Sequence, residues 1–387
     1  MDCSAASANT IACPAAAPPS AYVGEVDALR CLAMTAVILQ HCQLLPFGWT
    51  GVWLFFVISG FAITSSLLGS GREKHTKPVL IRNFYLRRCL RIWPVYFLVV
   101  AVNIVAAASL GKGEITAALP WLATFTYNYR MILDGEIWPA NGHLWTISVE
   151  EQFYLAFPFL FAYLPKLRLA AALIICVALG PVLRILLSAW FGELAWDDGL
   201  KAFAVMVFAP AHFDAFSLGA LLALFRPFLT SRRQLARCFL IAALAVAFVY
   251  GSIYLSINAA LKGFNSEAFR CIYSGILWGE GRQIWVYGAV TGLSAALIAL
   301  ILAGERWLCS LCKLPLLQPI GRISYGGYIY HAPVLMLHHA LFGNAGASSL
   351  TFSLGKFAFA YPVTLLLAFL SYRYFEAPIL KLRTRFG

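Results

Sequence analysis

"MTAVILQHCQLLPFGWTGVWLFFVISGF", residues 34–61, is almost wholly apolar, yet it holds an imidazole, His41. Whether this stretch is the core of a soluble domain or a pair of bilayer crossings decides the fold. The rest of the chain answers. Hydrophobic residues make up 61% of 387 and charged residues 12%, with a mean hydropathy of +0.77. Soluble domains average about 45–50% apolar and about 25% charged. The chain therefore reads as a polytopic membrane protein. In hydrocarbon each unsatisfied backbone polar group costs several kcal/mol, so only helices or closed barrels cross it. Long apolar runs select helices over the alternating pattern of barrel strands. The formal charge is +12, but the basic residues flank apolar runs, which argues against nucleic acid as a partner.

Ten spans follow, at residues 26–46, 51–68, 84–108, 143–164, 168–188, 203–225, 238–257, 284–303, 316–341 and 353–375. Each approaches or exceeds the roughly 20 residues a crossing needs. The apolar piece "ITAALPWLATFTY", residues 115–127, contains Pro120 and is short, so it reads as re-entrant or interfacial. With a cytoplasmic N-terminus, alternation places most Lys and Arg inside, including Arg87, Arg88, Arg91, Arg232, Arg233 and Arg237. Both termini then lie inside. Residues 1–24 are small and Pro-rich and read as a disordered tail. Residues 25–381 form one membrane domain, and 382–387 a short C-terminal tail. Five of the ten cysteines, Cys31, Cys42, Cys89, Cys176 and Cys238, lie in or at the ends of spans as small buried thiols. "CSLC", 309–312, lacks a second Cys or His pair, so no metal is expected.

Ionisable residues inside apolar runs are costly, and they are the functional candidates. Arg30 and His41 are 11 residues apart on the first span. On a helix that is about 20° from alignment and ~16 Å along the axis. Both face one side, Arg30 nearer the cytoplasm and His41 nearer the outer face, either as polar packing or as a site. In "RNFYLRRCLRIWP", 82–94, Arg91 neighbours both Arg87 and Arg88. Guanidinium forks match phosphate oxygens, but anionic lipid heads suit them equally well. In "NGHLWTISVEEQFYLAFP", 141–158, Glu150 and Glu151 follow His143, Trp145 and Ser148. Ser148 and Glu151 share a face, and at least one carboxylate should point into the bundle, to orient an imidazole or to hold an ion pair. "GRISYGGYIYHAP", 321–333, adds Arg322, Ser324, Tyr325 and His331, and "PAHFDAFSLGALLA", 210–223, adds His212 and Asp214. Polar packing between helices is the plainer reading of both.

In order, "LRCLAMTAVILQHC", "GVWLFFVISGF", "FYLRRCLRIWPVYF", "LWTISVEEQFYLAFP", "FDAFSLGALLA", "GRISYGGYIYHAPV" and "YRYFEAPILK" resemble the acyltransferase-3 family of integral membrane acyltransferases. Many of these O-acetylate bacterial surface or secreted carbohydrates. The resemblance covers about residues 25–381. It departs at Trp53, where the family often has Asp, and no C-terminal esterase-like domain is expected. It implies a catalytic His41 with Arg30, an acidic motif at Glu150, and a basic motif at Arg87, Arg88 and Arg91 for the donor. Trp145, Ser148, Glu151 and Tyr325, beside these motifs, are expected toward substrate. It also implies an acyl-CoA donor, commonly acetyl-CoA. A sugar hydroxyl is a poor nucleophile, and an imidazole can take its proton as general base or relay the acyl group covalently.

The expectation is an all-α polytopic transmembrane helix bundle in the bacterial plasma membrane. It would move an acyl group, acetyl by the resemblance, from CoA to a carbohydrate or glycolipid hydroxyl. The alternative is a membrane transporter of a small anion or acylated precursor, although no internal repeat of the kind common in transporters is visible. Oligomeric state is not legible.

Overall fold

The computed structural model describes residues 23–71, 74–109, 114–136, 141–194, 196–343 and 349–382. Its helices are α1 (Gly24–His41), α2 (Thr50–Ser70), α3 (Lys77–Ser109), α4 (Glu114–Ala123), α5 (Tyr127–Asp134), α6 (Trp145–Tyr163), α7 (Lys166–Gly192), α8 (Asp198–Val207) and α9 (Phe213–Leu224). They continue as α10 (Arg226–Leu229), α11 (Arg233–Lys262), α12 (Ser266–Ser274), α13 (Arg282–Leu302), α14 (Arg306–Cys312), α15 (Leu317–Arg322), α16 (Ser324–Phe342), α17 (Leu350–Ser371) and α18 (Ala377–Lys381). No strand occurs among the described residues. Of the tails expected at 1–24 and 382–387, all but Val23, Gly24 and Leu382 lie outside them, and Gly24 already begins α1.

Six helices are long and apolar enough to cross a membrane, or up to seven if the bent pair α8–α9 counts as one span. The chain is an all-α, multi-pass membrane protein. Each of the ten expected spans falls on a helix or a broken pair. The first is shorter than expected, because α1 stops at His41 and Gln43 has positive φ. The sixth is bent by 75° at Phe208, next to Pro210. The ninth is broken at Ile323 into α15 and α16. The 258–283 loop is partly helical, capped where the Asn265 side chain accepts from the Ala268 N–H at 2.9 Å. Of residues 115–127, 115–123 lie in α4, which at ten residues is only ~15 Å long, and Tyr127 begins α5.

Burial separates core helices from rim helices. The apolar stretches of α2 and α13 are 72% and 67% buried, against 28% for α7 and 22% for α11. Their side chains have the same character, so position in the bundle decides which faces protein and which faces lipid. Lipid is as apolar as leucine, so helix association rests on close packing. The α2–α9 crossing shows this. A Cβ on Gly60 would strike the Phe216 carbonyl, and one on Gly219 would strike the Val57 carbonyl. Next to it, Arg184 of α7 is fully buried. It donates to Asp214 of α9 at 2.8 Å, to the Ala211 carbonyl at 2.7 Å and to the Ile284 carbonyl at 2.9 Å. That network joins α7, α9 and α13 and satisfies charges that hydrocarbon would penalise. α1, α6 and α16 fall outside the six long apolar helices and carry ionisable motifs, while the Arg87–Arg91 motif lies on α3, which is one of the six.

Candidate active site

α1, α6 and α16 meet α2 and α3 around one cavity. Arg30 comes from α1, Ser59 from α2, Arg88 and Arg91 from α3, Thr146, Glu150 and Tyr154 from α6, and Tyr325 and Tyr328 from α16. Val52, Phe55, Phe56, Ile58 and Ile92 supply apolar wall. Three guanidiniums face one carboxylate, so the cavity favours an anion. Arg30 is held by Asp27, one turn before it, at 3.0 Å. The Arg88 guanidinium lies 5.7 Å from the Phe84 ring centre and 5.9 Å from that of Tyr154, flanked by rings that limit its motion. Glu150 accepts from the Ser59 and Tyr154 hydroxyls, which also contact each other. Tyr154 follows Glu150 by four residues, so the two share a helix face. Tyr325 donates to the Ile92 carbonyl at 2.7 Å, tying α16 to α3.

A second pocket shares Arg30, Arg91 and Tyr325 and adds Asp27, Arg322, Tyr372 and Glu376. The π-helical turn Tyr372–Glu376 ends on Glu376, which accepts from Ser371 at 3.0 Å. Such turns recur at functional sites. The shared residues make the two pockets neighbours and extend the guanidinium lining.

Through Thr146 and Tyr328 the cavity adjoins a group of three imidazoles that do not themselves line it. Thr146 donates to the Tyr328 hydroxyl at 2.9 Å, and Tyr328 donates to the His143 carbonyl at 3.0 Å. The His143 and His331 rings are 5.4 Å apart, and those of His331 and His41 are 5.1 Å apart. His41 is exposed at the end of α1, where Lys356 donates to its carbonyl at 2.9 Å. Arg30 lines the cavity, His41 joins the imidazole group, and α1 carries both.

The remaining expected residues scatter. Arg87 does not line the cavity and donates to Ser70 at 3.1 Å. Glu151 turns away from Glu150 and accepts from Trp93 at 3.3 Å. Ser148 is fully buried, and its hydroxyl has no partner among the described residues. Trp145 packs among Trp53, Phe56 and His212. Trp53 stacks on Tyr287 at 4.5 Å, inside an aromatic cluster. Ser59, Thr146, Tyr154 and Tyr328 were not expected. The i+4 spacing from Glu150 could have found Tyr154. Ser59 is one hydroxyl in an apolar span, with no sequence signal of its own. No cluster of three or more His, Cys, Asp or Glu that could hold a metal occurs among the described residues.

An acyltransferase domain profile matches residues 23–373. The chain belongs to the acyltransferase-3 family. It is 27% identical over 382 residues to the peptidoglycan O-acetyltransferase OatA of Listeria monocytogenes, covering 93% of this chain and 56% of that one. It is 24% identical to a Staphylococcus aureus protein called "Putative O-acetyltransferase", covering 93% and 58%. It is 26% identical to the Bacillus subtilis "Putative peptidoglycan O-acetyltransferase YrhL", covering 92% and 55%. The chain thus spans little more than half the length of these relatives. No solved structure matches it.

Proposed function

We propose that this acyltransferase-3 protein moves an acyl group, acetyl in the simplest case, from acyl-CoA to a hydroxyl of a cell-surface carbohydrate. It would do so in the plasma membrane, through ten crossings with both termini cytoplasmic. The observation that carries this is the cavity lined by Arg30, Arg88 and Arg91, whose Thr146 and Tyr328 also reach the imidazole group at His143 and His331. Arg88, Arg91 and Arg30 suit the phosphates of CoA, because charge-assisted bonds to guanidinium forks are strong and directional. The slim thioester arm can lie along the apolar wall toward Thr146 and Tyr328. His41 takes the acceptor hydroxyl's proton as the oxygen attacks the thioester carbonyl. The C–S bond then breaks, and the sulfur leaves with a proton. Glu150, held by Ser59 and Tyr154, is fixed in place beside the arginines. The relatives named for peptidoglycan support a bacterial wall glycan as acceptor.

Purified protein in lipid nanodiscs, given acetyl-CoA and a muropeptide or oligosaccharide, should release free thiol and form an O-acetyl ester visible by mass spectrometry. Acetate or acyl-precursor flux in proteoliposomes without ester formation would overturn this reading in favour of a transporter.

A further inference from the structure

His331 lies between His41 and His143 and is fully buried. Its Nδ1 meets the Tyr328 carbonyl. A carbonyl oxygen only accepts, so Nδ1 carries the proton and the neutral ring keeps its lone pair on Nε2. That Nε2 is buried with no hydrogen-bond partner among the described residues, and a buried acceptor left unpaired is costly. The neighbouring donors are already committed. His143 donates its Nε2–H to the Ile329 carbonyl at 3.2 Å, by the same logic. Tyr328 donates to the His143 carbonyl, and Thr146 donates to Tyr328 or to that same carbonyl at 3.1 Å. The nearest remaining ring is His41, tilted 43° to His331 at the exposed end of α1.

We propose that His331 is the positioning residue for His41: when the His41 ring turns toward it, its Nε2, unpartnered among the described residues, accepts the His41 N–H and leaves the other His41 nitrogen free as the base. This rests on the reading of His41 as base. A base oriented by a third group is the general logic of activated nucleophile systems. During transfer the acceptor's proton moves to the free His41 nitrogen. The bond to His331 persists and shares the imidazolium's charge. As the C–S bond breaks, the proton passes to the departing sulfur and His41 returns to its starting tautomer. No other reagent is needed.

Two near-isosteres separate this role from a structural one. His331→Gln places a carbonyl oxygen near the Nε2 position but loses the donor to Tyr328. His331→Asn keeps an amide donor near the Nδ1 position but loses the acceptor. With acetyl-CoA turnover as readout, Asn should lower kcat with little change in the acyl-CoA KM. The drop should be on the scale of the roughly 10–100-fold lost when a metal-bound histidine loses its outer hydrogen-bond partner. Gln should recover most of the rate. If Asn does not fold, His331→Leu replaces it and the same comparison with Gln decides. A structural role predicts the reverse order, with the Tyr328 contact and thermal stability setting activity. That result, or equal rates in folded variants, overturns the proposal. His41→Ala separates the two failures. If it is inactive while both His331 variants turn over normally, only the positioning role falls. If it stays active, the base itself is misassigned.

Discussion

At the residue scale the proposed chemistry rests on few side chains, and three of them give direct tests. His41→Ala should insert and fold normally, because the side chain is exposed at a helix end. It should lose at least ~100-fold in transfer rate, the lower range for a missing general base. A folded variant keeping more than about a tenth of the rate would make the imidazole structural. Arg88→Gln with Arg91→Gln should raise the acyl-CoA KM, most strongly at low salt, because phosphate contacts are screened by ions. Acceptor KM should change little. Arg87→Gln is the control, since it reaches Ser70 and not the cavity; its KM should stay near that of the parent. An unchanged donor KM in the double variant would leave these arginines as lipid anchors. The sequence marked Arg30, Arg88, Arg91 and Glu150 because charge in an apolar run stands out. It could not separate Arg88 from Arg87, or Glu150 from Glu151. Adjacent residues on a helix point about 100° apart, and only the neighbours decide which one is inward.

At the element scale, bilayer crossings are held by backbone proximity more than by hydrophobic drive. The α2–α9 crossing depends on Gly60 and Gly219. Gly60→Leu should push α2 off α9 and so shift Ser59 of α2 relative to Glu150 of α6. Overpacking of this kind costs about 1–3 kcal/mol, visible as a lower melting temperature in detergent together with lost transfer. Gly355, whose added Cβ meets nothing within 4 Å, should tolerate Ala. A Gly60 variant as stable as the parent would show that the crossing can relax. The helix breaks at Phe208 and Ile323 escaped the sequence reading for a related reason. A hydropathy run records that residues are apolar, not that the chain turns within them.

At the scale of the whole molecule, the proposal needs a direction across the membrane. Fusions near Ser231 and after the last residue should report a cytoplasmic location, and one near Phe264 an external one. Accessibility labelling of single cysteines at those sites would check the assignment. A cytoplasmic Phe264 or an external C-terminus would invert the path from donor to acceptor. In the expected orientation the arginine side of the cavity should be reachable by acyl-CoA in inside-out vesicles and not in right-side-out cells; inversion would reverse this.

The sequence by itself determined the solvent. A chain 61% hydrophobic and 12% charged must fold as helices in a bilayer, because backbone groups find no partner there outside a helix or closed barrel. Its polar exceptions also named the helices that carry the site, since each costs too much in hydrocarbon to be incidental. What only the tertiary structure decided is convergence. Arg30 and Arg91, Glu150 and Ser59, His41 and His331 lie far apart in the chain. Whether such pairs meet depends on which faces of α1, α2, α3, α6 and α16 turn inward. Lipid and protein are nearly equally apolar, so hydropathy does not distinguish those faces. Close packing does, and it is a property of pairs of helices and not of any one of them.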